Sequence, residues 1–482
     1  MTNPTQKLYE KVAGQILGQI QQGVLPLGKK VPSIRVFSRQ LGVSLSTVIH
    51  AYQILENQNV LQSRPQSGYY VNAEAPLSDR EPRKPPTPPN FSKIAIKKVD
   101  EGEVPHVIAA FSDPDNAVLS WGFPSHEILP FNSLKKSLSA GFEKQGSGGQ
   151  VYNFPPGNLP LRIQIARHYL ECGLTLLPDE LYLVNGCLDG LFISLSVLVK
   201  PGDTVAVESP IFPGILYTIN SLKLKAVEIP LDPRQGMDLD VLKRAISRHK
   251  IKAVISIPNF NNPMGCLMPD ANKKLLVDML AKKDIPLIEN DIYGDLYLGE
   301  TRPKPAKAFD KTGNVILCSS FSKSLSAALR VGWISGGKYH PQLIAYKFMV
   351  NVCGNPATEE GLAKFMEDGL FKRHVRKLRK YLADQLPHYT RAITQYFPEG
   401  TKYSRPAGGS NLWIEFPRKV NTFRLHQEAW AQKVILWTGP LFSLSVKVDN
   451  CAVISFAHRW SEKRERALKT IGDLAKKQLM RG

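Results

Sequence analysis

The sequence predicts an α/β protein: a large unit on a mainly parallel sheet, preceded by a small helical unit that carries a β-wing. Three observations predict it. First, six short runs rich in β-branched and apolar residues, LYLVNG, TVAVES, AVISIP, IPLIEND, NVILCSS and GWISGG, recur between residues 181 and 337, with amphipathic helical stretches between most of them. That alternation builds a parallel sheet whose ligands sit at the strands' carboxyl ends. Second, residues 73–105 hold six prolines before Asn90 among interspersed charges and read as a linker. Third, residues 7–71 run through helix, tight glycine turn, helix and two short β segments. The 482 residues suit two or three domains, which we bound at 1–72, 73–105 and 106–482.

In the small unit, Leu8, Val12, Ile16 and Ile20 repeat at i, i+4, an amphipathic helix over 7–22 closed by Gly23. Ser33 caps a helix through Leu41, Gly42-Val43 makes the turn, and Ser44 caps a second helix that turns Val48, Ala51, Tyr52 and Leu55 inward. Two β segments, Val60–Ser63 and Tyr69–Val71, flank Arg64-Pro-Gln-Ser-Gly68. This is the order of a winged helix-turn-helix, which lays its second helix in the major groove. Ser44, Ser46, Thr47 and His50 then reach base edges or phosphates, Arg35 suits a phosphate or a guanine edge, and Arg64, Gln66 and Gly68 lie on the wing.

Composition narrows the classes. With 43% hydrophobic and 22% charged residues the chain reads as soluble and globular, with no apolar run of membrane-spanning length. No signal-peptide pattern opens it, so the expectation is cytoplasmic. Six scattered cysteines without ligand spacing predict reduced thiols and no metal site. The net charge of +20 invites a polyanion. It is spread widely, however. Residues 1–71 hold seven basic against two acidic side chains, and the run FKRHVRKLRK at 371–380 reads as a solvated helix face.

In the large unit, five short motifs make sense together as a pyridoxal phosphate site. The cofactor's aldehyde needs a lysine for a Schiff base, and Lys323 in SSFSKSLSAALR is the candidate. Ser320, Ser322 and Arg330 offer two hydroxyls and a cation to the phosphate. Gly186, Cys187 and Leu188 follow Asn185 where a strand gives way to a helix N-terminus. Phe212 offers a face to the ring, and Asn262 and Tyr293 offer donors to the phenolic oxygen. For the ring nitrogen, IENDIY offers Asn290 or Asp291, of which we favour Asp291.

Residues 7–71 resemble the DNA-binding domain of the GntR family, on LPLGKKVPSIR, LGVSLSTVIHAY and RPQSGYYV. From about Ser120 onward the chain is similar to fold-type I aminotransferases, on the motifs above together with WGFPSHEILP, VYNFPPGNLPLRIQIARHYL, PGDTVAVESP and PAGGSNLWIEFP. The combination, with GPLFS at 439–443, resembles the MocR/PdxR-type transcriptional regulators. That resemblance implies operator DNA as partner, pyridoxal phosphate as effector or sensing cofactor, an amino acid or amine as a further ligand, and a homodimer.

The pattern departs from the families at named positions. Leu45 stands where many GntR domains have arginine, and Gln66 where the wing has its first glycine. Asn290 occupies the place of the aspartate that keeps the pyridine nitrogen protonated, and Val453 that of the arginine that clamps the substrate carboxylate. Ala327-Ala328 replaces a Pro-Gly pair. Lys323 is therefore expected to anchor the cofactor more than to catalyse. The rival expectations are a working aminotransferase with a DNA-binding arm and a cofactor-free regulator.

Overall fold

The computed structural model describes residues 7–21, 25, 28–57, 60–64, 67–72, 86, 96–97, 113, 115–120, 122–145, 152–444 and 448–481. It divides into two compact units, Met1–Pro82 and Arg83–Gly482.

The first unit packs α1 (Leu8–Gln21) and α2 (Ile34–Leu41) each against α3 (Leu45–Asn57), with β1 (Leu61–Arg64) antiparallel to β2 (Gly68–Val71). Ser33 accepts from Val36 N–H and Ser44 from Thr47 N–H, so both helices start on hydroxyl caps. Gly42 ends α2 in the left-handed conformation at φ +63, which glycine adopts without strain. Val12, Ile16 and Ile20 meet Phe37, Val48, Tyr52 and Leu55 in one core. Each fully buried side chain of this size contributes about 1.5–3 kcal/mol. Leu8 departs from expectation: it is 56% exposed and lies outside that core.

The second unit is built on a sheet ordered β3 (Ile96–Lys97), β7 (Lys225–Asp232), β6 (Thr204–Ser209), β9 (Ile251–Ser256), β10 (Leu287–Asn290), β11 (Val315–Ser320), β12 (Gly332–Ser335), β5 (Leu181–Val184). In chain order β4 is Ala117–Val118, and β8 (Gly236–Met237) pairs with β7. From β7 to β11 the pairings are parallel, and β12 runs antiparallel to both neighbours. Strands buried on both faces explain the unbroken apolar runs. The linker reading needs one correction. Ile96 and Lys97, inside 73–105, form an edge strand against Val227 and Ala226, where they pair backbone groups that β7 would otherwise leave open.

A second, antiparallel sheet is ordered β13 (Lys402–Tyr403), β14 (Asn411–Glu415), β17 (Cys451–Ser455), β16 (Trp437–Thr438), while β15 (Val434–Ile435) pairs with β4. The basic run at 371–380 lies on the long helix Leu370–Tyr396; Phe371, His374, Val375 and Leu378 are buried and most of its lysines and arginines are exposed. All six cysteines are free thiols. Among the described residues no helix is long and apolar enough to cross a membrane, and no cluster of metal-ligating side chains forms.

Candidate cofactor site and nucleic-acid interface

The parallel strands deliver the site at their carboxyl ends. Beyond β5, Gly186 at φ +107 starts the helix Cys187–Leu198. Loops after β6 and β9 bring Phe212 and Ile257, β10 ends on Asn290, and the turn after β11 carries Ser322 and Lys323. These line an open pocket with about 620 Å³ of space, together with Phe123, Cys187, Leu188, Ile292, Tyr293, Ala327 and Arg330.

Lys323 Nζ donates to the Gly122 carbonyl at 3.0 Å and lies 3.6 Å from the centre of the Phe123 ring. Apolar walls desolvate it and pull the amine down to about 7, so a nucleophilic free base is available near neutrality. Tyr293 O–H accepts from Asn262 Nδ2 at 2.9 Å, and Asn262 Oδ1 accepts from Asn411 Nδ2 at 3.1 Å, so a chain of side chains fixes the phenol. Burial pushes that phenol well above its usual range, which keeps it protonated. Arg330, left-handed at φ +52, donates to the Asn185 carbonyl. A Cβ on Gly186 would stand 2.8 Å from Arg330 Nη2, so the glycine lets guanidinium and helix N-terminus share one corner.

Four predicted residues are not on the pocket wall: Gly186 and Asn262 stand behind it, one starting the helix that brings Cys187 and Leu188 and the other bonded to Tyr293, while Asp291 and Ser320 need correction. Asp291, favoured for the ring nitrogen, is not on the pocket wall. Its Oδ2 accepts from Arg302 Nη2 at 2.7 Å and from Tyr169 O–H at 3.3 Å, and its Oδ1 from Asn259 Nδ2 at 2.8 Å. Backbone bonds hold it as well: Asp291 N–H donates to Cys318 O, and Ser319 Oγ donates to Asp291 O. Asn290 is the residue that faces the pocket. Ser320 is also off the wall; it is buried, and its Oγ accepts from Ser322 N–H, supporting the turn that presents Ser322 and Lys323.

Sequence reasoning missed Gly122, Phe123, Asn411 and Arg302. The first three lie in the quoted stretches WGFPSHEILP and PAGGSNLWIEFP without a role. Arg302 sits in TRPKPAK, which carries no signal of its own. Val453 is fully buried and packs with Trp413, Phe442, Met264 and Cys266. Arg459, its one nearby substitute in sequence, is exposed and reaches Glu127 at 3.3 Å.

On the first unit, Arg35, Ser44, Ser46, His50 and Gly68 are exposed and Thr47 is half-buried. Ser44 Oγ is 2.8 Å from Ser46 Oγ and 2.7 Å from Thr47 Oγ1, and His50 Nδ1 is 3.0 Å from Ser46 O. The start of α3 therefore presents one polar cluster. Arg64 ends β1, and Gln66 lies outside the described residues.

Comparison with known proteins decides the family. Residues 8–71 match the model for bacterial regulatory proteins of the gntR family, and residues 118–471 the model for aminotransferase class I and II. The uncharacterized HTH-type transcriptional regulator YjiR of Escherichia coli (strain K12) is 36% identical over 96% of this chain and 98% of its own length. The chain belongs to the GntR-family transcriptional regulators of MocR-like architecture.

A second such MocR-like regulator, the uncharacterized YdcR of the same organism, is 33% identical over 98% of this chain and its whole length. The fold of this regulator's large unit is shared with a kynurenine aminotransferase from Pyrococcus horikoshii at a TM-score of 0.73 and 24% identity, covering 79% of this chain and 95% of that one. The GntR domain implies DNA binding, and the aminotransferase class implies pyridoxal phosphate. The residues present fit that group: a desolvated lysine for its aldehyde, a guanidinium beside a glycine-started helix for its phosphate, and a buried phenol beside an amide for its hydroxyl.

Proposed function

We propose that this regulator reads operator DNA through α3 and the wing, and that its large unit holds pyridoxal phosphate on Lys323 as effector or sensing cofactor. Arg330 and Ser322 take the phosphate with the N–H groups of Gly186, Cys187 and Leu188. Phe212 covers the ring, and Asn262 with Tyr293 holds the phenolic oxygen. The bound cofactor supplies an electrophilic carbon that condenses with primary amines. Residues 73–105, apart from the Ile96–Lys97 strand, connect the units. The regulator acts in the cytoplasm, where its operator is, and as a homodimer.

The observation that carries this reading is the pairing of a desolvated Lys323 with an apolar Val453. Lys323 and Arg330 are the two cations on the described pocket wall, and each is committed to the cofactor. A carboxylate clamp would need a third, since an isopropyl group offers no hydrogen bond. Holding the cofactor is thus better supported than turning over amino acids. The dimer is supported by an exposed aromatic cluster: Tyr152 lies 5.7 Å from Phe154, and Phe154 lies 5.8 Å from Phe348.

The test is operator binding by the full chain, measured by footprinting or anisotropy with and without pyridoxal phosphate. The cofactor is expected to change operator affinity or footprint in the wild type and to change neither in Lys323→Ala. Identical binding in all four cases overturns the sensing role. Steady-state turnover of a common amino donor favours the aminotransferase reading instead.

A further inference from the structure

Asn290 ends β10 and lines the pocket, and its amide is oriented by a group that can only donate. Ile292 N–H donates to Asn290 Oδ1 at 3.1 Å, and the Cys187 thiol donates to the same oxygen at 3.3 Å. Turning the amide over would set Nδ2–H against a backbone N–H and leave two donors face to face. Oδ1 is therefore committed inward. Nδ2 has no hydrogen-bond partner among the described residues, and it is a donor only.

The other polar side chains on the wall are matched to the other parts of the ring. Lys323 takes the aldehyde carbon, Arg330 and Ser322 the phosphate, and Tyr293, tied to Asn262, the phenolic oxygen. The ring nitrogen, para to the aldehyde carbon, is left to Asn290. We infer that Asn290 Nδ2–H donates to this nitrogen and holds it unprotonated, so that the cofactor sits here as a neutral pyridine. This rests on the reading that the large unit binds pyridoxal phosphate.

The adjacent carboxylate does not reverse the assignment. Asp291 is held on both carboxylate oxygens by Arg302, Asn259 and Tyr169, and on both backbone groups by Cys318 and Ser319. Moving it to the ring would strand Arg302 between a vacated site and Asp295. A neutral pyridine withdraws electrons far less than a pyridinium, so loss of a proton from carbon on a bound amine slows. Exchange of one amine for another at the aldehyde carbon does not need that withdrawal. The site is thereby suited to report ligands rather than to consume them.

The full chain reconstituted with pyridoxal phosphate carrying ¹⁵N in its ring tests this by NMR. The wild-type resonance is expected at the neutral-pyridine position and unmoved across neutral pH. Asn290→Asp is expected to shift it to the pyridinium position, and the wild-type spectrum alone decides should that variant fail to fold. A bound wild-type resonance at the pyridinium position overturns this inference and leaves cofactor binding standing. No bound resonance from a folded chain overturns the cofactor reading and this inference with it.

Discussion

Arg302 Nη2 lies 2.7 Å from Asp291 Oδ2 while Arg302 Nε lies 2.8 Å from Asp295 Oδ1, so one buried guanidinium holds two buried carboxylates. His168 Nε2 completes the group at 2.7 Å from Asp295. Burial pushes the Asp295 carboxyl up, but His168 and Arg302 outweigh it and hold it well below the usual carboxylate range. Removing a partner from such a group leaves uncompensated buried charge. Arg302→Gln is therefore expected to destabilise the large unit by about 3–5 kcal/mol. Denaturant unfolding of the full chain checks it. Lys274→Gln, which breaks the exposed Lys274–Asp278 pair, serves as control and should leave the midpoint unchanged.

That relationship also marks where the sequence stopped being legible. The β-branched runs exposed β5, β6, β9, β10, β11 and β12, because strands buried on both faces read as unbroken apolar runs; β7, whose stretch Lys225–Asp232 is broken by Lys225, Glu228 and Pro230, was missed. The core of α3 was readable for the matching reason: Val48, Ala51, Tyr52 and Leu55 follow the helical period. Which of Asn290 and Asp291 faces the pocket was not readable. Neighbours on a strand point to opposite faces, and the choice depends on an arginine eleven residues on. Gly122 and Phe123 were hidden differently, since they reach Lys323 from a loop about two hundred residues away in sequence.

Capture of the cofactor should follow the titration of Lys323. Only the free amine attacks an aldehyde, and burial places half-deprotonation near pH 7 instead of at the ordinary lysine value. The sign follows directly: lowering pH protonates the amine and slows capture. Stopped-flow absorbance is expected to show a rate rising about tenfold per pH unit below the midpoint and level above it. A rate still climbing at the ordinary lysine pKa contradicts the desolvated site. Lys323→Ala should show no covalent capture at any pH.

The small unit separates two effects that mutation often confounds. Ser44 caps α3 through Thr47 N–H, so Ser44→Ala should cost about 1 kcal/mol of local stability as well as any DNA contact. Arg35 is exposed beyond the Ser33 cap, so Arg35→Ala should leave thermal unfolding unchanged. If Arg35 meets a phosphate, its loss weakens binding evenly across sequences and reduces the slope of log K against log salt by about one. If it meets a guanine edge, it relaxes specificity at one base pair, by about 1–3 kcal/mol. Salt titrations on operator and scrambled DNA distinguish these.

The last prediction concerns assembly. Tyr152, Phe154 and Phe348 form one exposed aromatic cluster, continued by Met349, which is 81% exposed. Contiguous apolar surface of this kind is costly to leave in water, and aromatic residues and methionine are the types enriched at interface cores. Beneath the cluster, Glu359 accepts from Asn153 Nδ2 and Asn158 N–H at 3.1 Å each, so the loop that presents Tyr152 and Phe154 is anchored in a fixed shape. A fixed apolar surface binds without a large ordering cost. Replacing Phe154 and Phe348 together by serine is expected to weaken self-association at least tenfold while the far-ultraviolet dichroism stays native. Sedimentation equilibrium at several concentrations reads this directly. A wild-type chain that sediments as a monomer throughout would remove the interface role from this cluster.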